Sequence, residues 1–455
     1  MKLSDALFMI RPSKTYPTYW EYQGQPVLLL GGSKEDNLFQ IADLKDHLDL
    51  LASVGGNVIR NTMSDRDPGD LYAYARKANG QFELDQWNPD YWDRFEACLR
   101  LTSERGIIVQ LEVWDRFDYS REPWKTHPFN PSNNDHLPTD TTGLESEYPQ
   151  HPNTDRQPFF HTIPGMNGYR APLDRLRAYQ EAYVAKLLSI ALAFDHVLYC
   201  INNETSTEPA WGAFWIRFIK ERAALAGREV WVTDMFDDFH KGEDSRMIPV
   251  VTQHPEIYDF FDISQVNSRS FGFAHWEKLQ FLITQARRYP RPANHTKIYS
   301  DGQTGFGSGT PQDGIERFWR NLMGGSASAR FHRPPAGIGL NPLAQQCIRT
   351  ARWVEKWIAF WEMEPAMDEI VPPAATNNQA YLTRTADLRY LLFLPYGEAV
   401  SLTLQERPGQ QWWQLRWTNS WTGEESPAET LKIASPLRVT APQPRASVAV
   451  LQPLG

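Results

Sequence analysis

The stretch Val197-Leu198-Tyr199-Cys200-Ile201-Asn202-Asn203-Glu204 decides the fold, because it begins as an apolar strand and ends in polar side chains. A helical run from about Asp174 to Ala193 precedes it, and another from about Trp211 to Leu225 follows it. The second run ends at Gly227, and a further strand, 230–233, comes directly afterwards. Short apolar strands that alternate with amphipathic helices are typical of parallel β/α units.

The same alternation can be counted eight times along the chain. The predicted strands are 27–30, 57–60, 107–113, 197–201, 230–233, 261–266, 297–300 and 328–331. Eight such units in series predict a (β/α)8 TIM barrel, in which catalytic groups lie at the carboxyl ends of the strands. An open doubly wound sheet would share the alternation. No Gly-x-Gly-x-x-Gly turn follows the first strand, so dinucleotide binding is unsupported.

Two departures from a minimal barrel set the domain boundaries. Residues 1–365 are predicted to form the barrel, with a long insertion at about 118–170 that is rich in Pro, Asn, Asp and His. Its aromatic segments Pro123-Trp124 and Phe159-Phe160 favour a packed lid over the active face. Residues 366–455 contain alternating apolar runs separated by turn signals, which predicts a small antiparallel β-sandwich domain.

Charge and cysteine content exclude several classes of protein. The net charge is −9 and no run is rich in Lys or Arg, so nucleic acid and anionic membranes are poor partners. The three cysteines, Cys98, Cys200 and Cys347, are widely spaced, which argues against a disulfide framework or a zinc knuckle. Because the sequence shows no signal core and no membrane-length apolar run, we expect a soluble cytoplasmic protein. The sequence does not reveal the oligomeric state.

Glu204 is the strongest catalytic candidate, because a carboxyl group at the end of a parallel strand faces the barrel mouth. There its pKa can be raised for general acid catalysis. The alternative is a glutamate that caps a helix or forms an ion pair, but its position after Asn203 favours catalysis. Asp301, at the end of the predicted seventh strand, is the first choice for a second carboxylate. Asp301-Gly302 is also a common turn, so both interpretations stay open.

These motifs resemble those of the clan-A glycoside hydrolases. Asn203-Glu204 after a fourth strand is similar to their Asn-Glu pair, whose glutamate is the acid/base, and Asn57-Val58-Ile59-Arg60 is similar to the second-strand segment whose arginine orients the nucleophile. The chain most resembles the apiosidase-like branch, a barrel family with a collagen-binding-type β-domain at the C-terminus. The segment Arg416-Trp417-Thr418-Asn419-Ser420-Trp421-Thr422-Gly423 resembles that family's terminal segment.

The resemblance implies hydrolysis of a glycosidic bond, in which Glu204 protonates the leaving oxygen. A second carboxylate, Asp301 as first choice, would then attack the anomeric carbon or activate water. The family has a glutamate at this position, and an aspartate is one methylene shorter. A spacing of roughly 5 Å between carboxyl groups would give retention, and roughly 6.5–9.5 Å would give inversion. The predicted lid favours a pocket and exo action.

Polar and aromatic side chains at the other strand ends are candidates for substrate binding. They are Asp36, Arg60, Asn61, Glu112, Trp114, Asp115, Asn203, Asp234, Asn267 and His332. Structural alternatives stay open for several of them: a rim salt bridge for Arg60, a core ring for Trp114 and a helix N-terminal acid for Asp36. Glu112, Asp115 and Asp234 are also alternative second carboxylates.

Two other functions remain open. A non-catalytic carbohydrate-binding barrel would lack a second carboxylate facing Glu204. A metal-dependent sugar isomerase or epimerase would need three or more converging ligands. The 11 histidines are scattered and form no His-x-His or His-Glu-x-x-His pattern, so we expect no metal and no cofactor. The expected partner is a carbohydrate substrate.

Overall fold

The computed structural model describes residues 9–151, 157–300, 307–372 and 378–454. It begins with a small antiparallel sheet of strands β1 (Arg11–Pro12), β2 (Trp20–Tyr22) and β3 (Gln25–Val27). A mixed α/β region and an antiparallel region follow. No helix in the four described ranges is both long and apolar enough to cross a membrane.

Strands and helices alternate through the α/β region, as the apolar runs predict. Its first half comprises β4 (Leu29–Gly32), α1 (Leu44–Ser53), β5 (Val58–Thr62), β6 (Tyr74–Arg76), β7 (Phe82–Trp87), α2 (Pro89–Ser103), β8 (Ile108–Asp115), α3 (Arg121–Thr126) and α4 (Thr139–Thr142). Its second half comprises α5 (Leu173–Ala191), β9 (Val197–Asn203), α6 (Pro209–Leu225), β10 (Trp231–Thr233), α7 (Met247–Gln253), β11 (Phe261–Asp262), α8 (Gly272–Arg288), β12 (Ala293–Asn294), α9 (Pro311–Met323), β13 (Ser328–Phe331) and α10 (Pro342–Glu355).

Side-chain caps fix where three of these helices begin. Asn88 accepts a hydrogen bond from the backbone N–H of Asp90 at the start of α2, and Asn341 accepts one from the backbone N–H of Ala344 at the start of α10. Thr310 and Asp313 form a capping box at the start of α9. Each of these helices has proline at its first position, where the missing N–H would have no helical partner.

The parallel strands form three separate ladders: β13-β4, β5-β8-β9-β10 and β11-β12. Backbone hydrogen bonds also join neighbouring ladders. Asn57 N donates to Leu30 O at 2.9 Å, Asp259 N to Val232 O at 2.9 Å, and Ala327 N to Ala293 O at 2.8 Å. The strands therefore follow each other around the sheet in chain order, although no single ladder runs through all of them.

The sixth and seventh strands differ from their predicted positions. The sixth is only β11, because the chain turns into a 3-10 helix at Ser264–Asn267. The seventh, β12, lies before the predicted residues 297–300, of which Ile298 still forms a parallel bridge with Phe331. This shift places Lys297 and Tyr299 beyond the strand end, where side chains can reach the mouth of the sheet.

The insertion after β8 is packed through its aromatic rings. Tyr119 stacks on Phe159 with ring centroids 3.8 Å apart, and Phe160 packs edge-on against Trp211 of α6 at 5.3 Å. Trp124 is fully buried, and its indole N–H donates to the Glu145 carbonyl at 2.9 Å. These contacts hold parts of the insertion together and pack Phe160 against the helix that follows β9.

The C-terminal region is antiparallel, as its alternating runs predict. Its strands are β14 (Glu364–Pro365), β15 (Ile370–Val371), β16 (Tyr381–Arg384), β17 (Tyr390–Leu394), β18 (Ala399–Leu402), β19 (Trp412–Asn419), β20 (Glu429–Lys432), β21 (Leu437–Thr440) and β22 (Ser447–Leu454). One sheet has the order β14-β16-β17-β22-β19-β20 and the other β15-β18-β21, and both contribute to one apolar core. Trp319 of α9 joins this region to the α/β region by donating to Ser420 Oγ at 2.8 Å.

Candidate functional site

Glu204 directly follows β9 in a backbone conformation that is unusual for glutamate. Its φ is +64°, in the left-handed region, which costs a residue with a Cβ roughly 1–2 kcal/mol. The next residue is held in place, because Thr205 N donates to Met235 O at 2.6 Å. Strained backbone is concentrated at functional sites, where the surrounding structure supports it. The conformation therefore marks Glu204 as a positioned side chain.

Two cations and a hydroxyl group contact the Glu204 carboxylate. Lys297 Nζ donates to Oε1 at 2.7 Å, and Arg116 Nη2 donates to Oε2 at 2.9 Å. The Tyr299 hydroxyl donates to Oε1 at 3.3 Å. Lys297 Nζ also donates to Asn203 Oδ1 at 2.5 Å, so both residues of the Asn-Glu pair bind one ammonium group. The glutamate is only 9 % exposed.

These charges lower the pKa of Glu204, contrary to the sequence-based expectation. Burial alone would raise the pKa, but Lys297 and Arg116 outweigh it and bring the pKa of this carboxyl below its ordinary value. A general acid must carry a proton at the working pH. Before substrate binds, Glu204 is therefore a carboxylate anion.

The position of the second carboxylate is open, because Asp301 lies outside the described residues. Two other carboxylates approach Glu204 through its partners. Asp237 Oδ2 lies 3.5 Å from Arg116 Nη2, and Asp115 Oδ2 accepts from Asn203 Nδ2 at 2.9 Å. The structure thus brings Asn203 and Asp115 together with Glu204, and their predicted role in substrate binding stays a prediction.

A second charged group surrounds Arg60, which is fully buried on β5. Its guanidinium binds both oxygens of Glu112, with Nε and Nη2 each 2.6 Å from a carboxylate oxygen, and it also pairs with Asp36. Burial raises the pKa of Asp36, but the guanidinium groups of Arg60 and Arg333 hold it well below its usual range. Arg60 is thus held in ion pairs with both Glu112 and Asp36.

Arg66 connects the two charged groups. It pairs with Asp115 and donates to Asp118 Oδ1 at 3.1 Å, and its Nη2 lies 3.7 Å from Asp36 Oδ2. Burial and the neighbouring Asp115 raise the pKa of Asp118, which also accepts from Ser64 Oγ at 2.7 Å. Ion pairs therefore run from Glu112 through Arg66 to Asp115, and the Asn203 amide links Asp115 to Lys297, the partner of Glu204.

His332 follows β13 and is buried at the same edge. Its ring packs edge-on against Tyr299 at 5.0 Å, and its Nδ1 lies 3.6 Å from Asp36 Oδ1. Burial lowers the pKa of His332 well below its ordinary value, and Arg60 and Lys297 lower it further, against the opposing effect of Asp36. The imidazole is therefore neutral and lies between the two charged groups.

Trp114, predicted as a possible sugar platform, packs in the core instead. Its ring stacks on Tyr183 at 5.1 Å and contacts Phe159 at 5.4 Å and Trp215 at 5.5 Å. The side chain is 2 % exposed. Because rings of the helices and the insertion cover it, Trp114 offers no face to a ligand.

Asn61 and Asn267, predicted to bind substrate, hold the backbone and core together. Asn61 Oδ1 accepts from the backbone N–H of Phe39 at 2.9 Å, which fixes the loop after β4. Asn267 bonds with His295 at 2.9 Å and with Asn321 at 3.0 Å, both among buried groups between helices. Neither amide contacts the group of residues around Glu204.

Asp234 lies behind the Glu204 backbone rather than beside its carboxylate. Thr205 Oγ1 donates to its Oδ1 at 2.5 Å, while Oδ2 has no partner among the described residues. A Cβ added at Gly212 of α6 would lie 2.2 Å from this oxygen, so the carboxyl is pressed against the helix. Burial raises the pKa of Asp234 to about 7.

We expect Asp234→Asn to change how stability depends on pH. An acid whose pKa is raised in the folded state binds its proton more tightly there than in the unfolded chain, so stability falls as pH rises from about 4 to 7. The variant lacks this titration and should gain stability relative to the parent at pH 8 but not at pH 4. Urea unfolding at both pH values measures the difference. An equal change at the two values would contradict the raised pKa.

Sequence reasoning missed Arg116, Lys297, Tyr299 and Arg66. A signal existed for two of them, because Lys297 and Tyr299 are two residues apart in a predicted strand and so share a face. Arg116 follows Asp115 directly at the end of β8. Its pairing with Glu204 spans 88 positions of sequence, which no local pattern reports.

A separate group of possible metal ligands lies on β7 and the insertion. Glu83, Asp85 and His136 each offer one atom within 4.8 Å of the others, and among the described residues this is the one such group. Its members already bond to protein: His136 contacts Glu83 and the Tyr179 hydroxyl, and Lys77 lies 3.3 Å from Glu83. Protein contacts therefore explain the charged side chains of this group without a bound metal ion.

Solved structures share this fold at low sequence identity. The chain is similar to a glycoside hydrolase family 5 protein from Bacteroides vulgatus ATCC 8482, with a TM-score of 0.63, 12% identity and coverage of 97% of this chain and 93% of that one. A structure described as a glycoside hydrolase gives a TM-score of 0.59, 11% identity and coverage of 98% and 97%. A family 5 mannosidase variant from Rhizomucor miehei gives 0.51, 11% identity and coverage of 77% and 98%.

No protein-family model matches the chain, and no curated protein matches its sequence. At these identities the likeness to solved structures concerns the fold, a mixed α/β architecture with an antiparallel C-terminal region.

Proposed function

We propose that this protein is a clan-A glycoside hydrolase whose catalytic domain is a closed (β/α)8 barrel followed by a β-sandwich. The observation that carries the proposal is Glu204, which follows Asn203 at the carboxyl end of the fourth parallel strand and is fixed there by Lys297 and Arg116. This is where barrel enzymes place their catalytic groups. The fold shared with glycoside hydrolases supports the same assignment.

The charges around Glu204 favour an anionic role for it. An ionised carboxylate either attacks the anomeric carbon or removes a proton from the water that attacks it. In both cases the glycosidic C–O bond breaks and its electron pair goes to the leaving oxygen. That oxygen takes a proton from the second carboxyl group, for which Asp301 is our first choice. This order is the reverse of the one that the resemblance implies.

Exo action on a carbohydrate chain completes the proposal. The insertion is ordered by Trp124, Phe159 and Phe160 beside the strand that carries Asp115, as expected of loops that narrow a cleft into a pocket. Analysis of the first products from an oligosaccharide separates the modes. Monosaccharide release from one end indicates exo action, and mixed internal fragments indicate endo action.

The test of the function is hydrolysis of a panel of aryl glycosides that vary in sugar and anomer. We expect release of the phenol from at least one member, and proton NMR of the first sugar formed reports retention or inversion. Retention requires a second carboxyl group about 5 Å from Glu204 and inversion one at about 6.5–9.5 Å. Saturable sugar binding without turnover across the panel would instead support a carbohydrate-binding barrel.

A further inference from the structure

We infer that Lys297 is a positioning residue whose ammonium group holds Glu204 as an anion in the free enzyme and fixes the direction of its carboxylate. The inference rests on the proposed function only in taking Glu204 as the reacting group. It assigns a role to a lysine that none of the catalytic motifs contains.

Lys297 is buried and bonds to two side chains at once. The side chain is 1 % exposed, and its Nζ lies 2.5 Å from Asn203 Oδ1 and 2.7 Å from Glu204 Oε1. Asn203 is held in turn, since its Nδ2 donates to Asp115 Oδ2 at 2.9 Å. The ammonium thus lies between two consecutive side chains of the fourth strand end, and neither can turn without losing it.

A buried lysine of this kind would be costly without a carboxylate partner. Taking an ammonium group out of water is strongly unfavourable unless an opposite charge and hydrogen bonds replace the water. The same holds for the glutamate, so each ion stabilises the charged form of the other. Because Arg116 provides a second cation at 2.9 Å, Glu204 has more positive than negative charge in direct contact with it.

Groups on every neighbouring element contribute to the balance of positive and negative charge around the Glu204 carboxylate. The charged or titratable side chains that face Glu204 or its direct partners are Glu112, Asp115 and Arg116 at the end of β8, His151 of the insertion, Asp237 after β10, Lys297 and Tyr299 after β12, and His332 after β13. Asp237 opposes the effect of Arg116 from 3.5 Å but is 32 % exposed, so water screens it. Lys297 is the cation that no carboxylate other than Glu204 contacts among the described residues.

The test is a titration of the Glu204 carboxyl group that needs no substrate. Carbon NMR of protein labelled at glutamate side-chain carboxyls, compared with the Glu204→Gln protein, identifies the Glu204 signal. In the parent protein we expect it to titrate below pH 4.5, the ordinary value. In Lys297→Met we expect the midpoint to rise by about 1–3 pH units, the effect of losing an adjacent opposite charge. Lys297→Arg should restore the low midpoint.

Lys220→Met is the matched control, because Lys220 of α6 forms a lysine–carboxylate pair with Asp259 at 2.7 Å that does not include Glu204. It should leave the Glu204 midpoint unchanged. If Lys297→Met does not fold, Lys297→Gln keeps hydrogen bonding without the charge and should show the same rise. An unchanged midpoint in a folded, uncharged Lys297 variant would overturn the inference.

Activity provides a second readout that separates this inference from the proposed function. In an active enzyme, the acidic limb of kcat/KM should move upward with the carboxyl midpoint in Lys297→Met and return in Lys297→Arg. If the titration shifts but no glycoside is cleaved, the role of Lys297 stands and the proposed function fails. If glycosides are cleaved and neither the midpoint nor the limb moves, the proposed function stands and the role of Lys297 fails.

Discussion

Glu204→Gln is expected to lower kcat/KM for a hydrolysed aryl glycoside by about 10²–10⁴-fold, the usual contribution of a proton-transferring side chain. Glutamine preserves the size of the side chain, but it can neither attack as an anion nor accept a proton. Its amide oxygen can still accept one bond from Lys297 or Arg116. The substrate affinity should therefore change much less than the turnover number. Steady-state kinetics at several pH values measure both.

Glu221→Gln is the matched control, since Glu221 is an exposed glutamate on α6. It should leave kcat/KM unchanged. Glu204→Gln also leaves the buried Lys297 without a carboxylate partner and Arg116 with Asp237 alone, so its thermal unfolding must be recorded in parallel. Full activity in a folded Glu204→Gln protein would reduce Glu204 to an ion-pair glutamate and assign the reaction to other carboxyl groups.

Arg60→Met should have the largest effect on stability, lowering the free energy of unfolding by about 3–5 kcal/mol. Arg60 is fully buried and is the bidentate partner of Glu112, and it also pairs with Asp36. Removing the guanidinium leaves Glu112 as a buried carboxylate without its partner. Urea unfolding at pH 7 gives the difference, and the slope of the transition shows whether the unfolded ensemble has changed.

Two comparisons define what the Arg60 result means. Arg100→Met breaks the exposed pair with Glu104 on α2, where solvent screens both charges, and should cause no measurable change. Arg60→Met combined with Glu112→Met replaces both ions by apolar groups and should recover part of the loss. A double variant less stable than Arg60→Met alone would show that packing, rather than unpaired charge, dominates at this position.

The sequence predicted those features that depend on local pattern. Each apolar run that ends in polar residues marks a parallel strand, which is why Glu204 and Asn203 were placed correctly at the end of β9. The antiparallel C-terminal region followed from the alternation in Tyr390–Leu394 and Ser447–Leu454, which pair with each other in the structure. These features are set by periodicity and need no knowledge of distant partners.

The features that were missed depend on contacts between distant segments or on local irregularity. Regular alternation along β8 would put Trp114 on the same face as Glu112. In the structure Trp114 stacks on Tyr183 in the core, and Asp115 is the side chain that contacts Asn203. The raised pKa expected for Glu204 rested on its position at the strand end and took no account of cationic neighbours. The cation that reverses the expectation, Lys297, is 93 positions away along the chain. The seventh strand was misplaced because the apolar pair Ile298 and Tyr299 indicated a strand at 297–300, whereas the ladder is formed by Ala293 and Asn294.

The order of strands in the C-terminal region has a consequence for how the chain is made. β22 lies between β17 and β19 and forms ladders with both. During translation β17 and β19 leave the ribosome before β22, the strand that lies between them in the sheet. Their apolar side chains are then present without this partner. Until Ser447–Leu454 emerges, the nascent chain carries two open β-edges, the kind of surface that chaperones cover and that aggregating chains share. This region therefore completes its sheet after synthesis of that segment, rather than progressively from its first strand.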